Sequence, residues 1–155
     1  MLSAYVVAEY ILYIAYRNGD VITNLKLQKL LYYAQAWYMV NNNATPLFND
    51  EIQSWQFGPV VPSVYNRMKV FKYKPISLEL KEKDFETMNK NQKDFIEDFC
   101  NYFLHFSATE LVSMTHNETP WVDAFKKGSR TKIDVNTMYI YYKNLLNDEK
   151  SICKQ

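Results

Sequence analysis

Residues 22–37 read ITNLKLQKLLYYAQAW, and the spacing of their apolar side chains decides the fold class. Leu27, Leu30, Leu31, Ala34, Trp37 and Tyr38 recur at intervals of three and four, which places one stripe of a helix against a core. Thr23 or Asn24 supplies a side-chain oxygen to cap its first turn. Asn41-Asn42-Asn43 ends it, because asparagine tolerates left-handed geometry and competes for its own backbone. Lys26, Lys29 and Gln35 fall off the stripe and are expected on the remaining face.

Helices extend on both sides of this segment. Ser3 can cap a helix over residues 4–18, and Gly19 supplies its left-handed stop. Within it, Glu9 is the only residue of the stretch 4–16 outside the apolar and aromatic set. That stretch rises about 20 Å at ~1.5 Å per residue, short of the ~30 Å hydrocarbon core of a bilayer, so it reads as a core helix. Pro62 suits the first position of a third helix through Lys69. From Asp84 the row Phe95, Phe99, Tyr102, Phe103 and Phe106 predicts the longest helix of the chain. Further helices fit residues 108–115, 120–127 (Pro120 at its first position) and 135–146.

Residues 51–57 are rich in strand-favouring side chains, with Trp55 and Phe57 on one side of a pleat and Ser54 and Gln56 on the other. Ile52 is out of phase with that alternation. Gly58-Pro59 is expected to turn the chain, and Ile76-Ser77-Leu78 to pair with residues 51–57. Pro59-Val60-Val61-Pro62 matches P-x-x-P, but its place before a helix reads as an entry loop rather than an SH3 ligand. The expected architecture is mainly α: a single-domain bundle of about six to seven helices with a small two-stranded β ribbon.

Composition narrows the function. With 155 residues the chain suits one domain with a real core, and only 3 glycines and 5 prolines leave little for linkers. Lys plus Arg number 18 against 17 Asp plus Glu, so no global field attracts nucleic acid or an anionic membrane. The 13 Tyr, 9 Phe and 3 Trp are the unusual feature, and such rings pack inside while keeping a polar tip wet. Two cysteines, Cys100 and Cys153, cannot make a secreted disulfide framework, and no secretory leader pattern is present, so a cytoplasmic setting is expected.

The chain offers little for catalysis. Cys100 and His105, five apart on a helix, point to different faces, and His116-Asn117-Glu118 lacks the paired cysteines that complete a deaminase zinc cage. Neither a metal nor another cofactor is expected. No nucleophile elbow or phosphate-cradling glycine loop occurs, and Glu97 and Asp98, being consecutive on a helix, diverge. His116 reads as a helix-bridging side chain. The densest cationic run, Arg67, Lys69, Lys72 and Lys74, is interleaved with Val70, Phe71 and Tyr73. That mixture suits a lysine-decorated surface over buried aromatics; the alternative is a winged-helix-like DNA surface at the third helix. Lys126, Lys127, Arg130 and Lys132 form a second, less specific group.

Three blocks together resemble a known family. They are ITNLKLQKLLYYAQAW; then PLF at 46–48 with EIQSWQFGPVVPSVYNRMK at 51–69; and LVSMTHNETPWVDAF at 111–125, followed by Ile133, Tyr139 and Tyr142. In combination they are similar to the Panacea domain, the SocA-like group of phage-associated proteins, over nearly the whole chain: residues 1–147 as the domain and 148–155 as a frayed tail. The resemblance implies an antitoxin of a toxin–antitoxin system that binds a cognate protein toxin directly. In one branch it also implies an adaptor that delivers the toxin to a Clp-type protease. It implies no catalysis. Its motif positions here are Leu27, Gln28, Lys29, Leu30, Trp55, Gly58, Pro59, Val60, Val61, Pro62, Tyr65, His116, Pro120 and Trp121. Phe57 stands where tyrosine is common and Tyr38 where histidine is frequent, departures that bear on partner choice. Trp55, Phe57, Gly58, Pro59, Val60, Tyr65, His116 and Trp121 are the expected partner contacts or their supports, since interface cores favour such rings. Under the DNA alternative the contacts are Arg67, Lys69, Lys72 and Lys74.

Overall fold

In the computed structural model, which describes residues 1–153 and their side chains through Lys150, the central element is the helix read first from the sequence. It is α2, Asn24–Asn41, capped by the Thr23 side chain, which accepts from the Lys26 amide. Around it stand α1 (Ala4–Arg17), α3 (Pro62–Met68), α4 (Lys90–Phe103), α5 (Ala108–His116), α6 (Thr119–Lys126) and α7 (Val135–Cys153). One 3-10 turn, Lys69–Phe71, follows α3 and another, Glu82–Phe85, precedes α4. The mainly α bundle expected from the sequence is the architecture found.

Every position from Leu27 to Ala36 of α2 is buried, so the helix has no solvent face there. Lys29 and Gln35, expected on a polar side, are fully enclosed. A helix buried all round must satisfy each polar group internally. Gln35 does so by bracing the loop after α2: its Oε1 accepts from the amides of Leu47 (2.8 Å) and Phe48 (3.2 Å), and its Nε2 donates to the Phe48 carbonyl (2.8 Å).

The β segment corrects the expected ribbon. Three antiparallel strands lie in the order β2-β1-β3: β1 is Gln53–Trp55, β2 is Gly58–Val60 and β3 is Thr131–Lys132. The register pairs Trp55 with Gly58, so the turn consists of Gln56 and Phe57 rather than Gly58-Pro59. Phe57 therefore leaves the pleat it was expected to share with Trp55. Ile76-Ser77-Leu78 pairs with no strand. The Ile76 amide donates to the Ile22 carbonyl at 2.8 Å, and the Tyr16 hydroxyl donates to the Ile76 carbonyl at 2.7 Å. Those bonds tie the segment to the α1–α2 corner. The sheet's third strand comes instead from a two-residue stretch with no strand signature of its own.

The expected long helix from Asp84 is broken. Asn89 caps α4 with a reciprocal bond to Gln92, and residues 82–85 form a separate 3-10 turn. The longest helix is α7, which continues past residue 146 to Cys153; the rest of the expected tail, residues 154 and 155, lies outside the described residues. Of the expected aromatic row, Phe95, Phe99 and Phe103 of α4 pack on the core, whereas Tyr102 is 62% exposed and Phe106 lies beyond the end of the helix. Phe95, Phe99 and Phe103 stack in succession, with centroids 6.2 and 4.5 Å apart, and Phe103 stacks on Tyr33 of α2 at 5.2 Å. Helix α7 is held by hydroxyls: Tyr142 lies 3.0 Å from the Tyr32 hydroxyl and 3.0 Å from Glu118, which also accepts from Tyr33.

Replacing Gln35 by leucine keeps the volume and leaves two amides and a carbonyl unsatisfied. Gln35→Leu is expected to lower stability by about 3 kcal/mol, read as a shift in the urea midpoint at unchanged slope.

Candidate functional site

The hairpin of β1 and β2 sits on a lysine. Lys29 of α2 is enclosed, and its Nζ donates to the Pro59 carbonyl at 3.0 Å. Both ion pairs among the described residues, Arg17 with Glu97 and Lys90 with Asp94, lie elsewhere, so this ammonium has no carboxylate against it. Burial pushes its pKa down to about 7. Gly58 makes the approach possible. Its φ is 107°, and a Cβ there would stand 2.6 Å from Lys29 Cε and 2.9 Å from Thr115 Oγ1. The preceding residue on α2, Gln28, accepts from the Val61 amide at 2.9 Å and donates to Asn24 at 2.8 Å. Helix α2 thus fixes both the hairpin and the start of α3 with polar side chains.

Behind the hairpin, the α5–α6 corner supplies a stack of rings. His116 lies on Trp121 with centroids 4.1 Å apart, and Trp121 lies on Phe125 at 4.7 Å. Trp121 Nε1 donates to the Trp55 carbonyl at 2.9 Å, which anchors the tip of β1. Burial lowers the His116 pKa, with the Lys29 charge acting in the same direction and the Gln56 backbone against it. Its Nε2 is buried without a hydrogen-bond partner among the described residues. A neutral, stacked imidazole of this kind supports the hairpin and is poorly placed to exchange protons with a ligand.

The expected contact residues separate by exposure. Gly58, Pro59, Val60 and Trp121 are buried, Trp55, Tyr65 and His116 are half-buried, and Phe57 at the turn is 61% exposed. Trp55 packs edge-on against Tyr65 at 4.8 Å, and Arg130 lies over the other part of the Trp55 surface, 4.0 Å from the ring centroid. A cavity of about 720 Å³ opens between α2, the hairpin and the end of α3, with Trp55, Phe57, Val60 and Tyr65 on its walls. Lys69 and Lys72 border it too. Arg67 does not: it lies 3.2 Å over the Tyr5 ring of α1. Lys74 is exposed and is not part of the lining. The four cations proposed for DNA are therefore divided between two directions.

Gln28 and Lys29 are indicated in the sequence only as motif positions of the family resemblance; helical spacing alone puts Lys29 on a polar face, because spacing on α2 says nothing of what covers it. Arg130, read only as part of a less specific cationic group, has a left-handed backbone (φ 64°), and its amide donates to the Ser54 carbonyl at 2.7 Å, which brings it beside Trp55. Cys100 is buried and its thiol is pushed up to about 12, and His105 is exposed on the chain beyond α4, so the two stand apart. Among the described residues no helix is long and apolar enough to cross a membrane.

Two measurements check this construction. Gly58→Ala is expected to cost about 2 kcal/mol, because the backbone strain and the Lys29 contact act together. The Lys29 amine binds its proton more weakly folded than unfolded, so between its folded value near 7 and the ordinary lysine range the unfolded chain holds more protons. Stability therefore rises with pH across 7 to 8.5, by up to ~1.4 kcal/mol per pH unit, and Lys29→Met removes that rise in urea titrations.

Comparison with known proteins agrees with the motif blocks. Residues 27–122 match the family model described as Antitoxin SocA-like, Panacea domain. The chain is 31% identical over 122 residues to Antitoxin SocA of Caulobacter vibrioides (strain NA1000 / CB15N), an alignment covering 72% of this chain. It spans 64% of that relative's length, just under two thirds. No solved structure matches. The matched region contains Lys29, the hairpin, the cavity walls at Trp55 and Tyr65, and the His116–Trp121 stack, and on this ground the chain belongs to the SocA-like antitoxin family that carries the Panacea domain.

Proposed function

We propose that this protein is an antitoxin that neutralises a cognate protein toxin by direct, stoichiometric binding, using the hairpin tip and the cavity beside it. The observation that supports this most is the position of exposed rings on a rigidly held motif. Phe57 projects from a turn whose flanks are pinned by Lys29 and Trp121, and Tyr73, 96% exposed, borders the same cavity. Preorganised aromatic side chains of this kind give large contact area with little ordering cost. Binding is the whole activity under this reading, with no turnover and no cofactor, and it takes place in the cytoplasm. Delivery of the captured toxin to a Clp-type protease is a second step of the same proposal.

The test is rescue. The product of the gene beside this one, expressed alone, is expected to arrest growth, and co-expression of this chain to restore it. Phe57→Asp, at a site too exposed to unfold the domain, is expected to weaken the complex at least ~30-fold and to abolish rescue. Absence of toxicity, of rescue and of any complex would reject the antitoxin reading. Protease delivery predicts that the toxin level falls on co-expression in cells with the protease and holds in cells lacking it. Tight DNA binding that weakens steeply with salt would instead favour the regulator.

A further inference from the structure

The cavity beside the hairpin has a one-sided charge. Its lining contains Lys29, Lys69, Lys72 and Arg130, and among the described residues no Asp or Glu. This is unexpected in a chain whose acidic and basic residues nearly balance at 17 and 18. None of the four cations takes part in an ion pair among the described residues. Arg130 rests on the Trp55 ring, a contact that leaves its N–H edge free to donate to an oxygen anion. Lys29 lies enclosed beneath the same space, its one hydrogen bond going to the Pro59 carbonyl.

The remaining walls are apolar and aromatic. Leu25, Val60, Trp55 and Tyr65 line the space between the cations, and at about 720 Å³ it is large enough for two or three side chains. A phosphate-bearing nucleotide suits the site less well. No glycine lines it, and the three glycines of the chain, 19, 58 and 128, are isolated, so no cradle of successive backbone N–H groups is present. A lining that combines several cations with apolar and aromatic walls, and holds no acid among the described residues, matches a peptide that alternates carboxylates with apolar side chains.

We propose that this cavity seats an acidic segment of the partner protein, its carboxylates meeting Lys69, Lys72 and Arg130 and an intervening apolar side chain resting against the wall formed by Trp55, Tyr65 and Val60. The inference rests on the antitoxin reading for the identity of that partner, but not for the chemistry of the site. Electrostatic attraction at the rim governs the rate of arrival, and the apolar insertion governs how long the segment stays.

Two experiments separate the two claims. In the first, a fluorescein-labelled peptide with alternating Glu and Phe or Leu is titrated by anisotropy with the purified full chain, alongside the same peptide with Gln for Glu, and ATP as competitor. The acidic peptide is expected to bind at least about tenfold tighter than the neutral one, to lose about tenfold again with Lys72→Glu or Arg130→Glu, and to weaken with salt. Equal binding of the two peptides, no detectable binding of the acidic one, indifference to both reversals, or displacement by ATP at lower concentration than by unlabelled peptide would overturn the proposal. In the second, rescue by Lys72→Glu/Arg130→Glu is compared with wild type. Rescue by the wild type but not by the double variant supports the site, and equal rescue by both overturns it as the toxin contact. Failure of the wild type to rescue sinks only the antitoxin reading, because the peptide titration reads the cavity on its own.

Discussion

An enclosed lysine whose one hydrogen bond goes to a carbonyl holds the β1–β2 hairpin in place. Lys29 reaches out of the most buried helix of the fold to the Pro59 carbonyl, and the hairpin closes over it only because Gly58 has no side chain. Burying an ammonium is unfavourable, and the depression of its pKa to about 7 measures that disfavour. The position is therefore expensive in stability, which is the pattern expected where a fold is organised around binding rather than around its own maximum stability.

Other polar groups of α2 extend the same device. Gln28 secures the entry to α3, Gln35 secures the loop through Leu47 and Phe48, and Tyr32 and Tyr33 meet Tyr142 and Glu118 from α7 and the α5–α6 corner. Burial raises the Glu118 pKa while the two tyrosine bonds oppose it. The core is thus not a simple apolar interior but a helix that distributes hydrogen bonds to each surrounding layer. A fully satisfied buried network specifies one arrangement of those layers, because any other would leave its members unpaired.

That rigidity has a functional sense. The elements carrying the family motif build two surfaces with different tasks. The inner one, with Gly58, Pro59, Val60 and Trp121, is packing. The outer one, with Phe57, the edge of Trp55, Tyr65 and the cations around the cavity, is the contact surface we propose. Motif residues that look equivalent in the chain thus divide into buried and accessible ones according to which side of the hairpin they face.

The sequence by itself determined the helices with strong periodicity and clear caps: α1 after Ser3, α2 after Thr23, and α5 beginning at residue 108, with boundaries within a residue or two, together with the inward row of α4 and the family. These follow from contacts within a few residues of each other, which a linear pattern encodes directly. The break between residues 85 and 89 was legible only in hindsight, since the Asn89–Gln92 capping pair competes with a continuous apolar row. Tertiary structure alone decided the rest. It gave β1 its partners Gly58–Val60 and Thr131–Lys132 instead of Ile76-Ser77-Leu78, enclosed Lys29 and Gln35, and brought Arg130 onto Trp55. Those outcomes depend on groups far apart in the chain, and a lysine's place on a helix cannot reveal that a hairpin thirty residues later will cover it.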